Sequence, residues 1–378
     1  MPWKEGTRMS ERKAMLEKWA SGLYTVSELA EEFGVSRPTV YTWIKRDDVE
    51  DRKSTPHSCP HRTPAKLAEQ IVEAKLRWPD FGPKKVIQRL SREKPRVEWP
   101  APSTASRILE EHGLVKKRRA RRRTTTIQHA RTKLGASASG EMMTIDHKGQ
   151  FRLGNGEYCY PLTINDPVSR FVYAIDGSPS TSHDNAKPAM EAVFIEYGVP
   201  LYVGSDNGGP FCCTRALAGL SRLSVWWIRL GITPIRIHPG CPWENGIHER
   251  MHKTLKASTT RPPAWTMRAQ QVRFDAFRRE FNTERPHEAL NGGLPVDHLQ
   301  PCSRSYPKKL PPIEYAGHLE TRHVRSSGEI KWQGERLFIS EALVGEWVGL
   351  EEIDNGIWSL RFAHVELGRY DERTKSIS

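Results

Sequence analysis

Apolar residues recur at helical spacing through the first 46 residues of the chain. Ser10 to Ala20 predicts one helix, and Thr25 to Arg46 predicts two short helices separated by a turn at Gly34. Ser36 is placed to cap the second of these, with Pro38 in its first turn. A short helix, a glycine turn and a second helix with outward polar residues are typical of a helix-turn-helix, whose second helix enters the major groove.

This pattern predicts a helix-turn-helix DNA-binding domain over residues 1–52. An ordinary helical hairpin is the alternative interpretation, because short helical motifs also occur by chance. The residues expected to face DNA are Ser36, Arg37, Thr39, Tyr41 and Thr42.

A Pro-, Ser- and His-rich stretch predicts a linker before further helical sequence. Residues 64–115 then have the periodicity of a second helix-turn-helix-like DNA-binding unit. Its last helix is predicted over Ala101–Val115, with Ser103 as the N-cap and Gly113 as the C-cap.

At residue 140 the pattern changes to β-rich segments separated by turns. Strands are predicted over Glu141–Leu153, Tyr158–Asp176 and Val199–Gly209, and an Asn-Asp-Pro turn divides the second segment into a hairpin. Three adjacent antiparallel strands with later helices and strands predict an α/β domain over residues 140–300.

Beyond residue 300 the chain becomes rich in proline and then returns to strands. Residues 301–319 predict a stiff linker. Residues 320–378 alternate apolar and polar positions, with turns at Gln333-Gly334 and Asn355-Gly356, and predict about five strands of a small barrel. The fold class is therefore multidomain: an all-α N-terminal region, an α/β core and a small all-β C-terminal barrel.

The net charge of +13 indicates a binding partner, because the charge is unevenly distributed along the chain. Residues 1–139 carry 30 basic and 17 acidic side chains, whereas residues 140–378 carry 28 of each. Such an excess favours a polyanion, and no apolar run is long enough to span a bilayer. We therefore expect a soluble, cytoplasmic, DNA-binding protein. Six cysteines without regular spacing predict reduced thiols.

The most basic segment, Lys116 to Lys133, lies in a predicted linker over residues 116–139. Its nine basic residues and no acid oppose folding by like-charge repulsion, but they can neutralise phosphates. A solvated linker that binds nothing is the alternative, and the two interpretations are compatible. The residues expected to contact DNA are Lys116, Lys117, Arg118, Arg119, Arg121, Arg122 and Arg123.

Three carboxylates of the core are distinguished by their positions. Asp146 lies in an apolar strand, where an unpaired charge is costly to bury. Asp206 ends the fourth strand before a glycine-containing turn, and Glu249 lies early in a helix predicted over Glu244–Lys256. If they converge, these carboxylates can hold two divalent cations for in-line phosphoryl transfer.

The predicted helix also places basic side chains beside its carboxylate. The same face carries a basic ridge three, four and seven residues after Glu249, formed by His252, Lys253 and Lys256. A solvated charged face explains this helix equally well by itself. The basic N-terminal third of the chain favours the interpretation that the lysines contact phosphates.

Four segments of the chain resemble successive motifs of the DDE transposases of bacterial insertion sequences, in the branch with a retroviral-integrase-like catalytic core: MTIDHKGQF, GSDNGGPF, HPGCPWENGIHERMHKTLK and FNTERPHEALNGGLP. The resemblance extends over nearly the whole chain. It implies an RNase H-like core, an SH3-like C-terminal barrel and two Mg²⁺ ions, with Mn²⁺ as substitute. By segment, the implied catalytic and metal-binding residues are Asp146, Asp206 and Glu249.

The resemblance leaves two candidates for the third acid. Asp206 and Glu249 are separated by 42 residues, more than in the integrases, and Glu244 is a rival at a separation of 37. Glu249 is preferred because the family's acid follows an Asn-Gly or Asn-Ala pair inside the helix. Asp166, in the hairpin turn, and Asp176, which closes a strand, are both predicted to be turn acceptors. Further residues that resemble DNA-contacting or helix-orienting positions of the family are Asn245, Arg250, Lys253 and Lys256.

The predicted function is therefore DNA cleavage at the element ends and strand transfer into target DNA. The expected partner is double-stranded DNA, namely the terminal inverted repeats and the target, bound by a homo-oligomer because two ends must be joined. The alternative is a non-catalytic, sequence-specific DNA-binding regulator derived from a transposase. An RNA-directed nuclease is disfavoured, because the basic third offers no aromatic platform for single strands.

Overall fold

The computed structural model describes residues 8–46, 48–50, 62–115, 136–213, 216–238 and 246–377. The chain divides into two compact units, residues 1–63 and residues 64–378. Within the described ranges, no helix is both long enough and apolar enough to cross a membrane.

The first unit contains the three predicted N-terminal helices: α1 (Arg8–Ala20), α2 (Val26–Glu32) and α3 (Arg37–Ile44). Leu29 and Val40 are fully buried between them. Ser36 caps α3, since its hydroxyl accepts from the Thr39 amide at 3.4 Å. Gly34 makes the turn with a φ of +64°, a conformation that favours glycine. The expected caps and turn of the helix-turn-helix are therefore confirmed.

The second unit begins with three more helices: α4 (Ala65–Arg77), α5 (Pro83–Glu93) and α6 (Pro102–Glu111). They enclose a separate apolar cluster that includes Phe81 and Leu109. The prediction of Ser103 as N-cap is wrong, because α6 begins at Pro102, after Ala101, and proline fits the first position of a helix. Gly113 follows the end of α6 with a φ of +69°, as expected for a terminating glycine.

The core is built on a mixed sheet with helices on both faces. Its strands are β1 (Met142–His147), β2 (Phe151–Arg152), β3 (Tyr158–Asn165), β4 (Val172–Ser178), β5 (Tyr202–Ser205) and β6 (Thr233–Arg236). Strands β4, β3 and β1 are antiparallel neighbours, as predicted, and β5 and β6 continue the sheet parallel to β1. The short β2 pairs with the start of β3.

Five helices accompany the sheet: α7 (His183–Tyr197), α8 (Arg222–Arg229), α9 (Gly246–Thr259), α10 (Met267–Thr283) and α11 (Pro295–His298). Met143 and Ile145 of β1 belong to the apolar cluster that contains α7 and α8 residues. The opposite face packs against α9 and α10 through a cluster that includes Leu255 and Phe274. Because side chains alternate along a strand, Thr144 and Asp146 face α9.

Helices α4 and α5 are joined to the end of α10 and to α11 by polar contacts. The Trp78 indole donates to the Glu284 carboxylate at 2.7 Å. Arg92 binds both carboxylate oxygens of Asp297, at 2.6 and 2.8 Å. The helical region of the second unit is therefore held against the core.

The two aspartates that were predicted to be turn acceptors differ in the structure. Asp166 accepts from the amides of Val168 and Ser169 at 2.7 and 2.8 Å, which confirms the prediction. Asp176 lies inside β4, two residues before its end, and accepts from the Ser178 hydroxyl at 2.6 Å. Asp176 therefore occupies a strand rather than a turn.

The predicted Pro-rich linker lies along the core for part of its length. The Cys302 amide donates to the Tyr197 carbonyl at 3.2 Å. Arg304 donates to the carbonyls of Leu230 and Gly231, at 2.9 and 3.1 Å. These contacts tie the start of the segment to the ends of α7 and α8.

The C-terminal region is all-β and contains seven short strands: β7 (Glu320–His323), β8 (Glu329–Trp332), β9 (Glu335–Phe338), β10 (Trp347–Asp354), β11 (Ile357–Phe362), β12 (Val365–Asp371) and β13 (Ser376–Ile377). Both predicted turns are present, between β8 and β9 and between β10 and β11. In the described residues the strands form a five-stranded sheet and a separate two-stranded ribbon, not the predicted closed barrel. Side-chain packing joins the ribbon to the sheet, since the ring centroids of Trp332 and Trp358 are 4.7 Å apart.

Candidate active site

Asp146 and Asp206 are brought together by the pairing of two parallel strands. Ile145 of β1 pairs with Ser205, the last residue of β5; Asp146 follows Ile145 within β1, and Asp206 directly follows β5. Neighbouring strands lie about 4.8 Å apart, and paired positions on parallel strands point to the same face. The register therefore places Asp146 and Asp206 next to each other at the same end of the sheet. Asp146 is 9% exposed, and Asp206 is half-buried.

The turn after β5 orients the Asp206 carboxylate. The Gly208 amide donates to Asp206 Oδ1 at 3.1 Å, and the Asn207 side chain donates to the Ile237 carbonyl at 2.9 Å. A Cβ on Gly208 would lie 3.1 Å from Asp206 Oδ2, so a larger residue would crowd the carboxylate. Asn207 and Gly208 thus shape the loop that carries Asp206.

Glu249 lies in the first turn of α9, and its side chain is exposed. Lys253 and Lys256 are exposed on the following turns of the same face. Arg250 is exposed too. The rival acid Glu244 and the predicted contact Asn245 lie outside the described residues.

Two histidines of α9 lie between this helix and the sheet. The sequence placed His252 in the basic ridge beside Glu249, and the sequence analysis did not identify His248. His248 is 2% exposed, with Nε2 at 2.8 Å from the Thr144 hydroxyl and Nδ1 at 3.1 Å from the Asn165 amide. Burial lowers the pKa of His248 to about 3, so the ring is neutral. Both nitrogens are thus engaged, and His248 attaches α9 to β1 and β3.

His252 lies one turn further along and reaches the first catalytic candidate. Its Nε2 is 2.8 Å from the Thr163 hydroxyl, and its Nδ1 is 3.9 Å from Asp146 Oδ2. Burial, with the nearby Lys148 and His147, lowers the pKa of His252 to about 4. The ligand atoms of Asp146, His248 and His252 all lie within 4.8 Å of one another.

The sequence did contain a signal for these histidines. Residues 248–252 read His-Glu-Arg-Met-His, and histidines four residues apart on a helix share a face and commonly bind zinc in peptidases. A peptidase site needs both imidazoles on the metal and an open coordination position. Here His248 is buried, and both of its nitrogens are hydrogen-bonded to residues of the sheet. The arrangement is therefore incompatible with a zinc peptidase.

The residues at this end of the sheet fit a divalent cation. Carboxylate oxygens are the ligands that Mg²⁺ prefers, and two carboxylates on neighbouring strands repel each other unless a cation compensates them. Lys148, another residue that the sequence analysis missed, is 8% exposed beside this region. Its pKa is lowered by burial and by Lys256, so the basic face of α9 extends towards the site.

Buried neutral histidines predict a loss of stability in mild acid. Burial lowers the pKa of His147 and His287 to about 4 and about 3, as for His248. Below pH 6.5 the unfolded chain binds protons that the folded chain cannot, so each ring reduces the free energy of unfolding by about 1.4 kcal/mol per pH unit. We expect the melting temperature to fall steeply from pH 6.5 towards pH 4.

One ring can be tested separately. His287 packs edge-on against Phe281 with 4.6 Å between ring centroids, and His287→Phe keeps an aromatic ring there. The variant should show a shallower decline of melting temperature with acid than the wild type. Equal slopes in the two proteins would contradict this assignment.

The predicted DNA-facing residues of the first unit lie together on α3. Tyr41 is 52% exposed. Ser36, Arg37 and Thr42 are also exposed, and Thr39 is partly buried. The predicted contacts of the basic run, residues 116–123, lie outside the described residues.

Comparison with known protein families matches three parts of the chain. Residues 11–46 match a helix-turn-helix domain, residues 230–295 an integrase core domain, and residues 319–378 the C-terminal domain of the IS481 family of transposases. The matches place a helix-turn-helix domain, an integrase core domain and a transposase C-terminal domain along the chain in this order. This confirms the resemblance found in the sequence, and the core has an integrase-like fold.

Individual relatives cover different shares of this transposase-like chain. The IS407 uncharacterized 31.7 kDa protein of Burkholderia multivorans is 26% identical over 60% of this chain and 77% of its own length. The Gag-Pol polyprotein of baboon endogenous virus is 33% identical over 36% of this chain, which spans 8% of that polyprotein. The HTLV-2 integrase catalytic core domain, solved in complex with magnesium, is 12% identical over 43% of this chain and 99% of its own, with a TM-score of 0.35.

Proposed function

We propose that the chain is an active DDE transposase that cleaves DNA at the ends of its element and transfers the strands to target DNA. The observation that carries this proposal is the register of β1 and β5, which leads Asp146 and Asp206 to the same end and face of the sheet. Helix α9, with Glu249 in its first turn, packs against that face.

In this mechanism Asp146, Asp206 and Glu249 would hold two Mg²⁺ ions, for which Mn²⁺ could substitute. When bound, the ions supply Lewis acidity to the attacking and leaving oxygens of an in-line displacement. The Gly208 amide fixes the orientation of the Asp206 carboxylate. Lys253 and Lys256 contact DNA phosphates, since both are exposed on the face of α9 that carries Glu249.

Binding of the element ends is assigned to the N-terminal parts of the chain. Helix α3 enters the major groove and presents its exposed residues to bases and phosphates. The helices of residues 64–115 and the basic run extend the contact along the duplex, and Arg250 and Asn245 contact DNA near the catalytic helix. A homo-oligomer holds two ends, with the C-terminal strands available for contacts between subunits.

The proposal is tested with the DNA that flanks the gene. Both ends are labelled and incubated with full-length protein, Mg²⁺ and a target plasmid. We expect nicks at a fixed terminal position and joining of the ends to the plasmid. Specific binding of the ends without nicking in Mg²⁺ or Mn²⁺ would instead support the second candidate, a DNA-binding regulator, which the matched helix-turn-helix domain favours.

The identity of the third acid gives a separate prediction. Glu249→Gln removes a charge next to the face of α9 that packs on the sheet, so we expect a loss of nicking of at least about 100-fold. Glu244→Gln makes the same chemical change five residues earlier and should retain activity within about threefold. The measurement is the initial rate of end nicking at equal DNA occupancy. The reverse pattern would transfer the catalytic role to Glu244.

A further inference from the structure

The hydrogen bonds of the Thr163 hydroxyl determine which ring nitrogen of His252 carries the proton. Thr163 Oγ1 donates to the Asp146 carbonyl at 3.0 Å, and a carbonyl oxygen can only accept. His248 Nδ1, at 3.2 Å, can only accept a hydrogen bond because the other nitrogen of that ring is the donor to Thr144. With its proton on the Asp146 carbonyl, the Thr163 hydroxyl acts as acceptor towards His252 Nε2, which lies 2.8 Å from it. For that contact to be a hydrogen bond, Nε2 must be the donor. A neutral imidazole has one N–H, so Nδ1 carries a lone pair.

This lone pair lies close to the candidate metal-binding carboxylate. His252 Nδ1 is 3.9 Å from Asp146 Oδ2. Ligand atoms at about 2.1 Å from one ion are separated by about 3 Å when adjacent and about 4 Å when opposite. The observed separation lies within this interval, so one ion can bind both atoms with little movement of either side chain.

His248 cannot serve in the same way. The Thr144 hydroxyl donates to the Asn165 carbonyl at 3.2 Å, so it accepts from His248 Nε2. The remaining nitrogen, Nδ1, lies 3.1 Å from the Asn165 side-chain amide. Both nitrogens of His248 are therefore used in holding α9 to the sheet, and His252 alone of this pair places a nitrogen lone pair close to Asp146.

We infer that His252 Nδ1 is a nitrogen ligand of the divalent ion held by Asp146, and that the site consequently binds Mn²⁺ in preference to Mg²⁺. Mg²⁺ takes oxygen ligands almost entirely, whereas transition-metal ions accept imidazole nitrogen. The inference rests on the proposed metal-dependent function. It makes His252 a third kind of residue in the site, distinct from the acids and from the lysines.

The test measures metal binding directly on full-length protein, without a DNA reaction. Mn²⁺ is titrated and followed by electron paramagnetic resonance, and Mg²⁺ is measured by its competition with Mn²⁺. Pulsed measurements on the bound Mn²⁺ detect coupling to ¹⁴N. In the wild type we expect ¹⁴N coupling of the size typical of a directly bound imidazole, and tighter binding of Mn²⁺ than of Mg²⁺.

The decisive variant is His252→Asn, whose amide can still donate to Thr163 but offers the ion only oxygen. We expect the Mn²⁺ dissociation constant to rise about tenfold or more, the Mg²⁺ constant to change by less than about threefold, and the ¹⁴N coupling to disappear. His183→Asn, at the start of α7, is the matched control and should behave as the wild type. A cooperative melting transition in each variant establishes that it is folded.

The outcomes separate this inference from the proposed function. Wild-type protein that binds Mn²⁺ without ¹⁴N coupling, or a His252→Asn variant with an unchanged ratio of the two dissociation constants, overturns the role of His252 and leaves the carboxylate site intact. Wild-type protein that binds neither ion overturns the metal-dependent function together with the inference.

Discussion

Asp206→Asn is expected to lower the rates of end nicking and strand transfer by about 1,000-fold or more, which corresponds to about 4 kcal/mol of transition-state stabilisation. The amide has nearly the shape of the carboxylate but lacks the charge that compensates a divalent cation. Gly208 can still donate to the remaining oxygen at this position, so the loop should keep its conformation. Binding to the element ends should be unchanged, because it is assigned to other parts of the chain.

Stability measurements distinguish loss of the metal from loss of the fold. Two neighbouring carboxylates repel each other, so removal of one charge should leave the melting temperature without metal unchanged or raise it. The increase in melting temperature on adding Mn²⁺ should disappear, because that increase reports binding to the folded state. Asp176→Asn, an identical change within β4, is the control and should retain activity. Nicking by Asp206→Asn within tenfold of the wild-type rate would refute the assignment of Asp206.

Asp166→Ala is expected to destabilise the core by about 3–5 kcal/mol, although Asp166 has no part in the chemistry. The residue is fully buried at the end of β3. Besides two amides of its own turn, its carboxylate accepts from the Ser139 hydroxyl at 2.7 Å and the Gly140 amide at 2.9 Å. The Tyr173 hydroxyl also donates to it, at 3.3 Å. Alanine would leave these buried donors without their acceptor.

This loss of stability should lower the urea concentration at the midpoint of unfolding of the core, measured by tryptophan fluorescence. Asp176→Ala removes a half-buried carboxylate that accepts from the Ser178 hydroxyl, and it should cost less than about 1 kcal/mol. Because Ser139 and Gly140 lead directly into β1, the Asp166 variant should also expose this strand to faster amide hydrogen exchange. Equal midpoints for the two variants would contradict the role of Asp166.

Features that depend on neighbouring residues could be predicted from the sequence. Ser36 and Gly34 specify the cap and the turn of the helix-turn-helix through their own hydrogen bonds and backbone conformation. The Asn-Asp-Pro turn specifies the β3–β4 hairpin in the same way. The predicted N-cap of α6, Ser103, was wrong, because the adjacent Pro102 occupies the first helical position at no cost.

Features that depend on distant residues required the tertiary structure. The alternation of apolar and polar residues over residues 320–378 specifies strands. Whether these strands close into a barrel depends on which strand edges pair. Likewise, the sequence of α9 shows both His248 and His252 but does not distinguish their roles. His248 contacts Thr144 and Asn165, whereas His252 contacts Thr163 and lies near Asp146.

The sequence by itself therefore determined the order of the domains, the local elements and the three acids worth testing, because turns, caps and apolar periodicity act over a few residues. Only the tertiary structure decided that Asp166 anchors β1, that β1 and β5 pair in the register that aligns Asp146 with Asp206, and that His252 places a nitrogen close to Asp146. These features join segments 20 to 110 residues apart, and such contacts follow from strand register and helix packing, which no local pattern encodes.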